Sequence, residues 1–176
     1  SGLATLHYWP EHFNERGKRT HWGHVSLTLN DGTYISYMPA VGVNLDNFWA
    51  NSPPLAHNSL AMDILAEGGR NPVNIDIDGL NEDAIAEWWG WGGTDDFTIF
   101  NNCSVIIAQA LQQGGLDMPS HIINYPSRVV DDLRYMPPDG ALPTPDGAPQ
   151  IRNSARIHNA FNDYFDKNPD IFPAPL

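Results

Sequence analysis

Residues 24–37 alternate apolar and polar side chains around a tight-turn signal, a pattern that fits a β-hairpin buried on one face. Val25, Leu27 and Leu29 interleave with His24, Ser26 and Thr28, the period-two spacing of a half-buried strand. Asn30-Asp31-Gly32 supplies the turn, and Thr33-Tyr34-Ile35-Ser36-Tyr37 reads as the returning strand. The expected fold class is α+β: an antiparallel sheet carrying His24, with a helix that starts near Cys103 packed against it.

Other segments fill out one domain spanning 3–176, since 176 residues suffice for one sizeable core and not for two. Residues 3–9 read as a first strand ended by Pro10, and 11–20 as a polar, charged loop. A long loop is expected over 39–54, near the active face. Residues 60–65 and 73–77 are strand candidates; Val73, Ile75 and Ile77 alternate cleanly with Asn74 and Asp76. Asn81 is placed to cap a helix running through Trp89, with Glu82 and Asp83 in its first turn. The helix after Cys103 should stop at Gly114-Gly115, and another short helix should start near Pro126. The proline-rich stretch 137–149 reads as a semi-extended segment, followed by an amphipathic helix over about 153–165.

Cys103 is the single cysteine, so no internal disulfide and no cysteine-based metal site can form. It sits where the β-type run Phe97-Thr98-Ile99-Phe100 passes through Asn101-Asn102 into the apolar helix 105–111. A thiol there feels the positive end of the helix dipole, which favours the thiolate. The unpaired N–H groups of the same helix start can stabilise an oxyanion. His24 is the best partner among seven histidines, and Ser36 or Tyr34, across the hairpin, is placed to orient its imidazole. Asn102 either caps the helix or shapes the oxyanion site, and Asn102, Trp22 and Tyr34 are expected to touch substrate.

Other groupings have plainer readings. His21 and His24 lie at an odd spacing, on opposite strand faces, without a matching carboxylate, so no metal is expected. Asp76 and Asp78 suit a solvated strand face, and Trp88, Trp89 and Trp91 the buried side of an amphipathic helix. Nine basic residues against twenty-one acidic ones leave a net charge of −12. That balance argues against nucleic acid and anionic membrane surfaces as partners. No stretch approaches the roughly 20 apolar residues of a membrane span, so no stable membrane insertion is expected. Ser1-Gly2 looks like a tag remnant, so a native signal or larger N-terminal region could precede it.

Three motifs in order carry a resemblance: Gly23-His24-Val25-Ser26-Leu27, then Asp31-Gly32-Thr33-Tyr34-Ile35-Ser36-Tyr37-Met38-Pro39, then Asn102-Cys103-Ser104 before an apolar helix. The set resembles the circularly permuted papain-like thiol hydrolases, which include NlpC-type cell-wall peptidases and relatives of lecithin–retinol acyltransferase. In that group the histidine strand precedes the cysteine helix, as here. The acyltransferase relatives carry a second histidine one hairpin later, and Ser36 stands at the matching position. The stretch from Gly79 and Leu80 to Trp88-Trp89 also resembles the tryptophan-bearing helix upstream of Asn-Cys-Ser in bacterial secreted effector domains.

The resemblance implies a permuted papain-like fold and a cysteine peptidase or amidase working through an acyl-enzyme without a cofactor. Cys103, His24 and Ser36 would be its catalytic residues. It implies a peptidoglycan peptide as substrate, an antibacterial effector secreted and delivered to a target cell's periplasm, and a cognate immunity protein. The alternatives are an acyltransferase or lipase acting on lipid or host-protein substrates, and a non-catalytic binding module.

Overall fold

The strand alternation sets the sheet. The computed structural model describes residues 3–21, 23–39, 54–55, 59–90 and 102–134. In chain order its elements are β1 (Ala4–Trp9), β2 (His12–Phe13), β3 (Arg19–His21), β4 (His24–Thr28), β5 (Tyr34–Ile35), β6 (Met38–Pro39) and β7 (Pro54–Leu55). They are followed by α1 (Leu60–Ala66), β8 (Val73–Ile77), α2 (Glu82–Gly90), α3 (Cys103–Gln113) and α4 (Pro126–Arg134). Four strands form one sheet in the order β5-β4-β1-β8, antiparallel at every junction. The α+β expectation therefore holds at the level of an antiparallel sheet with helices packed on it.

The β4–β5 turn closes as the sequence suggests. The Leu29 N–H donates to the Thr33 carbonyl at 2.8 Å, and the Asp31 carboxylate accepts from the Thr33 N–H at 2.8 Å. Ala4, Leu6 and Tyr8 of β1, Val25 and Leu27 of β4, and Val73, Ile75 and Ile77 of β8 are all buried. They form one core with Ile85 of α2, Ile106, Ile107 and Leu111 of α3, and Val129, Val130 and Leu133 of α4. Asn81 caps α2 by accepting the Ala84 N–H at 3.2 Å. Gly114 caps α3 where the glycine pair predicted its end.

Four expectations need correction. Residues 60–65 are not a strand; they lie within α1. Ser59 caps this helix by accepting the Met62 N–H at 3.3 Å, and Leu60, Ala61 and Met62 are good helix formers. The run was short and apolar, a case in which periodicity does not separate strand from helix. Residues 11–20 are not simply a loop, because β2 and β3 pair antiparallel. The ends of the 39–54 loop are tied by the β6–β7 ladder, while 40–53 lie outside the described residues. Finally, β4 is not half-buried. His24 and Ser26 are as buried as Val25 and Leu27, because α1 brings Asp63 onto their side of the strand. The proline-rich segment 137–149 and the helix expected at 153–165 fall outside the described residues.

Gly23 enters β4 with φ +81°, and a Cβ there would lie 2.5 Å from the Trp9 carbonyl oxygen. Gly17 has a similar φ of +74° with open space around it. Gly23→Ala is expected to lower stability to urea by about 2 kcal/mol or more, and Gly17→Ala by only about 1. Equal losses would contradict the close approach of Gly23 to Trp9.

Candidate functional site

Two element starts meet here. Cys103 is the first residue of α3 and His24 the first of β4. Both are buried, Cys103 6 % and His24 1 % exposed, and the Cys103 sulfur is near enough to the His24 imidazole to raise its pKa. The ring is fixed through Nε2, which lies 3.0 Å from Asp63 Oδ2 and 3.0 Å from Ser36 Oγ. Trp9, opposite His24 in the β1–β4 register, places its ring 5.3 Å from the imidazole, centroid to centroid. Its indole Nε1–H donates to the Arg70 carbonyl at 2.8 Å.

Asp63 gathers the polar groups. Its Oδ2 accepts from Ser36 Oγ at 2.7 Å, from the Tyr34 hydroxyl and from His24 Nε2. The Tyr34 hydroxyl is also 2.8 Å from Ser26 Oγ. Burial alone would raise the Asp63 pKa; the imidazole's hydrogen bond and charge, with Ser36 and Tyr34, outweigh it and hold the carboxyl well below its usual range. Burial likewise works to lower the His24 pKa, but the Cys103 sulfur and the Asp63 carboxylate prevail and push it up to about 10. The arrangement thus favours a protonated imidazole held by the Asp63 carboxylate near the Cys103 sulfur, with an indole ring beside it.

Asn102 caps α3. Its Oδ1 accepts from the Ser104 and Val105 N–H groups at 3.0 and 3.3 Å, and its Nδ2 donates to the Asn124 carbonyl at 3.0 Å. The Ile106 N–H reaches the Asn102 carbonyl. Among the described residues the Cys103 N–H is therefore the first-turn donor without an acceptor, on the same residue as the sulfur. Ser104 is buried, with its hydroxyl 3.8 Å from the Cys103 sulfur.

The structure thus brings Cys103, His24, Ser36 and Tyr34 together. Ser36 touches the imidazole directly, whereas Tyr34 reaches it only through Asp63. Tyr34 was expected at the substrate, yet its hydroxyl is buried and turned to Asp63 and Ser26. The Asn102 amide faces the helix end and Asn124. Trp22 lies outside the described residues, as do Trp91 and the run 97–101, and nothing of the His21 side chain is described. Sequence reasoning missed Asp63 and Trp9. An acid inside an apolar run after a capping serine was the available signal for Asp63. Trp9 becomes visible only with the β1–β4 register.

Other polar groups are satisfied locally. His7 lies between Asn74 Oδ1 at 2.6 Å and Thr28 Oγ1 at 2.7 Å, and burial lowers its pKa. Asp76 is exposed and accepts from Thr5 Oγ1 at 2.9 Å. Trp88 and Trp89 pack against the core, partly buried. Among the described residues no three His, Cys, Asp or Glu side chains are grouped to hold a metal ion, and no helix is long and apolar enough to cross a membrane.

Compared with protein-family models, curated proteins and solved structures, the chain matches none.

Removing the carboxylate leaves the imidazole and two hydroxyls buried without their shared acceptor. Asp63→Ala is expected to cost about 3–5 kcal/mol in denaturant unfolding; a loss under about 1 would contradict the network. The pair also sets a pH window. His24 titrates higher when folded than its ordinary value near 6.5, so its contribution is complete below that value and lost as pH rises through about 10. Asp63 titrates lower when folded, so its contribution is complete above its ordinary value near 3.8 and lost as pH falls below it. Urea midpoints across pH should fall on both sides of this window, and Asp63→Asn should flatten the acid side.

Proposed function

We propose that this chain is a cysteine hydrolase of permuted papain-like architecture that cleaves an amide bond through an acyl-enzyme. The observation that carries the reading is the buried line Cys103–His24–Asp63, with an N–H at the nucleophile's own position that has no acceptor among the described residues. Each part has a role that covalent acyl transfer requires. The Cys103 thiolate attacks the substrate carbonyl carbon, and the carbonyl electron pair moves onto oxygen, where the Cys103 N–H stabilises it. As the tetrahedral intermediate collapses, the C–N bond breaks and the His24 imidazolium gives its proton to the departing amine. A thioester remains. The neutral imidazole then takes a proton from water as it attacks the thioester, and the acid product leaves with the thiolate restored. Asp63 keeps the ring oriented and stabilises its charged form, and Ser36 bridges the two.

The substrate we propose is a peptide bond in bacterial peptidoglycan. The protein would act as a secreted antibacterial effector in the target cell's periplasm, and its producer would carry an immunity protein. This rests on the ordered His24, Asn102-Cys103-Ser104 and tryptophan-helix motifs. The same thiolate could serve acyl transfer to lipid or to protein lysines, but a net charge of −12 disfavours adhesion to anionic lipid. A binding module has no need of a buried carboxylate aimed at an imidazole beside a thiol.

Purified sacculi incubated with the protein should release muropeptides with newly exposed amine and carboxyl ends, detectable by mass spectrometry. Cys103→Ala should abolish release, and Asp63→Asn should lower it by roughly 10²-fold or more. Unchanged release by Cys103→Ala would overturn the mechanism. No release by the wild type, with turnover of a phospholipid or acyl thioester instead, would move the substrate to the lipid class.

A further inference from the structure

Helix α1, which brings the acid of the site, is turned inside out. Its buried residue is Asp63, and Glu67 at its C-cap is buried too, while Met62 is 42 % and Leu65 77 % exposed. Leu60 and Ile64 are only half-buried. Burial of apolar surface, the usual force that seats a helix, is therefore weak here. Polar contacts take its place: the donors to Asp63 on one side, and the Glu67–Arg70 ion pair at 3.0 Å beyond its end. The position of the carboxylate then depends on which donors come from a rigid part of the fold.

Of the three donors among the described residues, His24 is the group being positioned. Ser36 contacts both His24 and Asp63, so it follows either one. Tyr34 differs. It lies on β5, in register with Thr28, and is 8 % exposed. Its proton goes to Asp63, so its oxygen accepts from Ser26 Oγ at 2.8 Å. The chain of donation therefore runs from β4 through β5 to α1 without touching the imidazole.

We propose that Tyr34, held by Ser26, is a positioning residue for the Cys103–His24 pair, fixing the Asp63 carboxylate and through it the imidazole. This rests on the reading of Cys103 and His24 as a catalytic pair. The titratable groups around them among the described residues are Cys103 on α3, Asp63 on α1 and His7 on β1. His7 lies 6.0 Å from the Tyr34 ring, centroid to centroid. Burial, and then Asp63, raises the pKa of Tyr34, so the phenol stays a neutral donor at every working pH.

The test needs no substrate. The rate of Cys103 alkylation by iodoacetamide is followed against pH in the wild type, Tyr34→Phe and Ser26→Ala, alongside urea stability. In the wild type the rate should reach its thiolate level well below the ordinary thiol value of about 8.5. Tyr34→Phe keeps the ring and removes the donor. Loss of one hydrogen bond to a charged group should slow alkylation below the midpoint about tenfold, moving the midpoint up by about one pH unit. Ser26→Ala should shift it the same way by less. In an Asp63→Asn background, Tyr34→Phe should add nothing. A merely structural tyrosine would lower the urea midpoint and leave the alkylation midpoint in place, and that outcome overturns the proposal. If Tyr34→Phe does not fold, an unshifted midpoint in Ser26→Ala overturns it. An ordinary thiol profile in the wild type would instead overturn the catalytic pair itself, and this proposal with it.

Discussion

One carboxylate oxygen organises this site. Asp63 Oδ2 takes hydrogen bonds from β4, from β5 and from the residue just after β5, and it stands on a helix with little apolar surface turned inward. A buried carboxylate is costly unless hydrogen bonds and an opposite charge compensate it. Here the compensation is the imidazolium, and the imidazolium is compensated in turn by the carboxylate and the Cys103 sulfur. Each charge is tolerated because the others are present. The seating of α1, the protonation of His24 and the state of the thiol are therefore one coupled problem.

The rest of the fold serves that coupling. The apolar layer of β1, β4 and β8 against α2, α3 and α4 fixes where the strand and helix starts lie. The Gly23 entry into β4 and the Asn102 cap of α3 then bring His24 and Cys103 to the same place. Asn102 takes up the Ser104 and Val105 N–H groups and leaves that of Cys103. In this way the cap that stabilises the helix also decides which first-turn N–H is left beside the sulfur.

Much of this could be read along the chain. The period-two runs at 24–29 and 73–77, the turn at 30–32, the capping asparagines at 81 and 102 and the glycine stop at 114–115 are local signals, and the structure follows them. Cys103 and His24 were legible because a thiol at a helix start and a histidine at a strand start each carry a local chemical argument. Ser36 was found because it lies one hairpin from His24, and the structure does place it on the imidazole. Asp63 was hidden for the opposite reason. Its run of Leu, Ala, Met and Ile suits strand and helix alike, and the helix buries its acid rather than its apolar residues. Trp9 was read only as the end of a strand, since cross-strand register is a property of two segments and not of one. The donation from Ser26 through Tyr34 to Asp63 likewise spans three elements, and no single window of sequence contains it.

The central claim is that His24 is held protonated between Cys103 and Asp63 in the resting protein. Nitrogen NMR of the imidazole, titrated from about pH 5 to pH 11 across the ordinary histidine and thiol range, reads that proton directly. The account predicts an imidazolium with both ring nitrogens protonated through neutral pH, losing its proton only near 10. In Cys103→Ala that transition should drop by more than about one unit as the contribution of the sulfur disappears. A His24 ring that is neutral at pH 7 and titrates near 6.5, alike in both proteins, would contradict it.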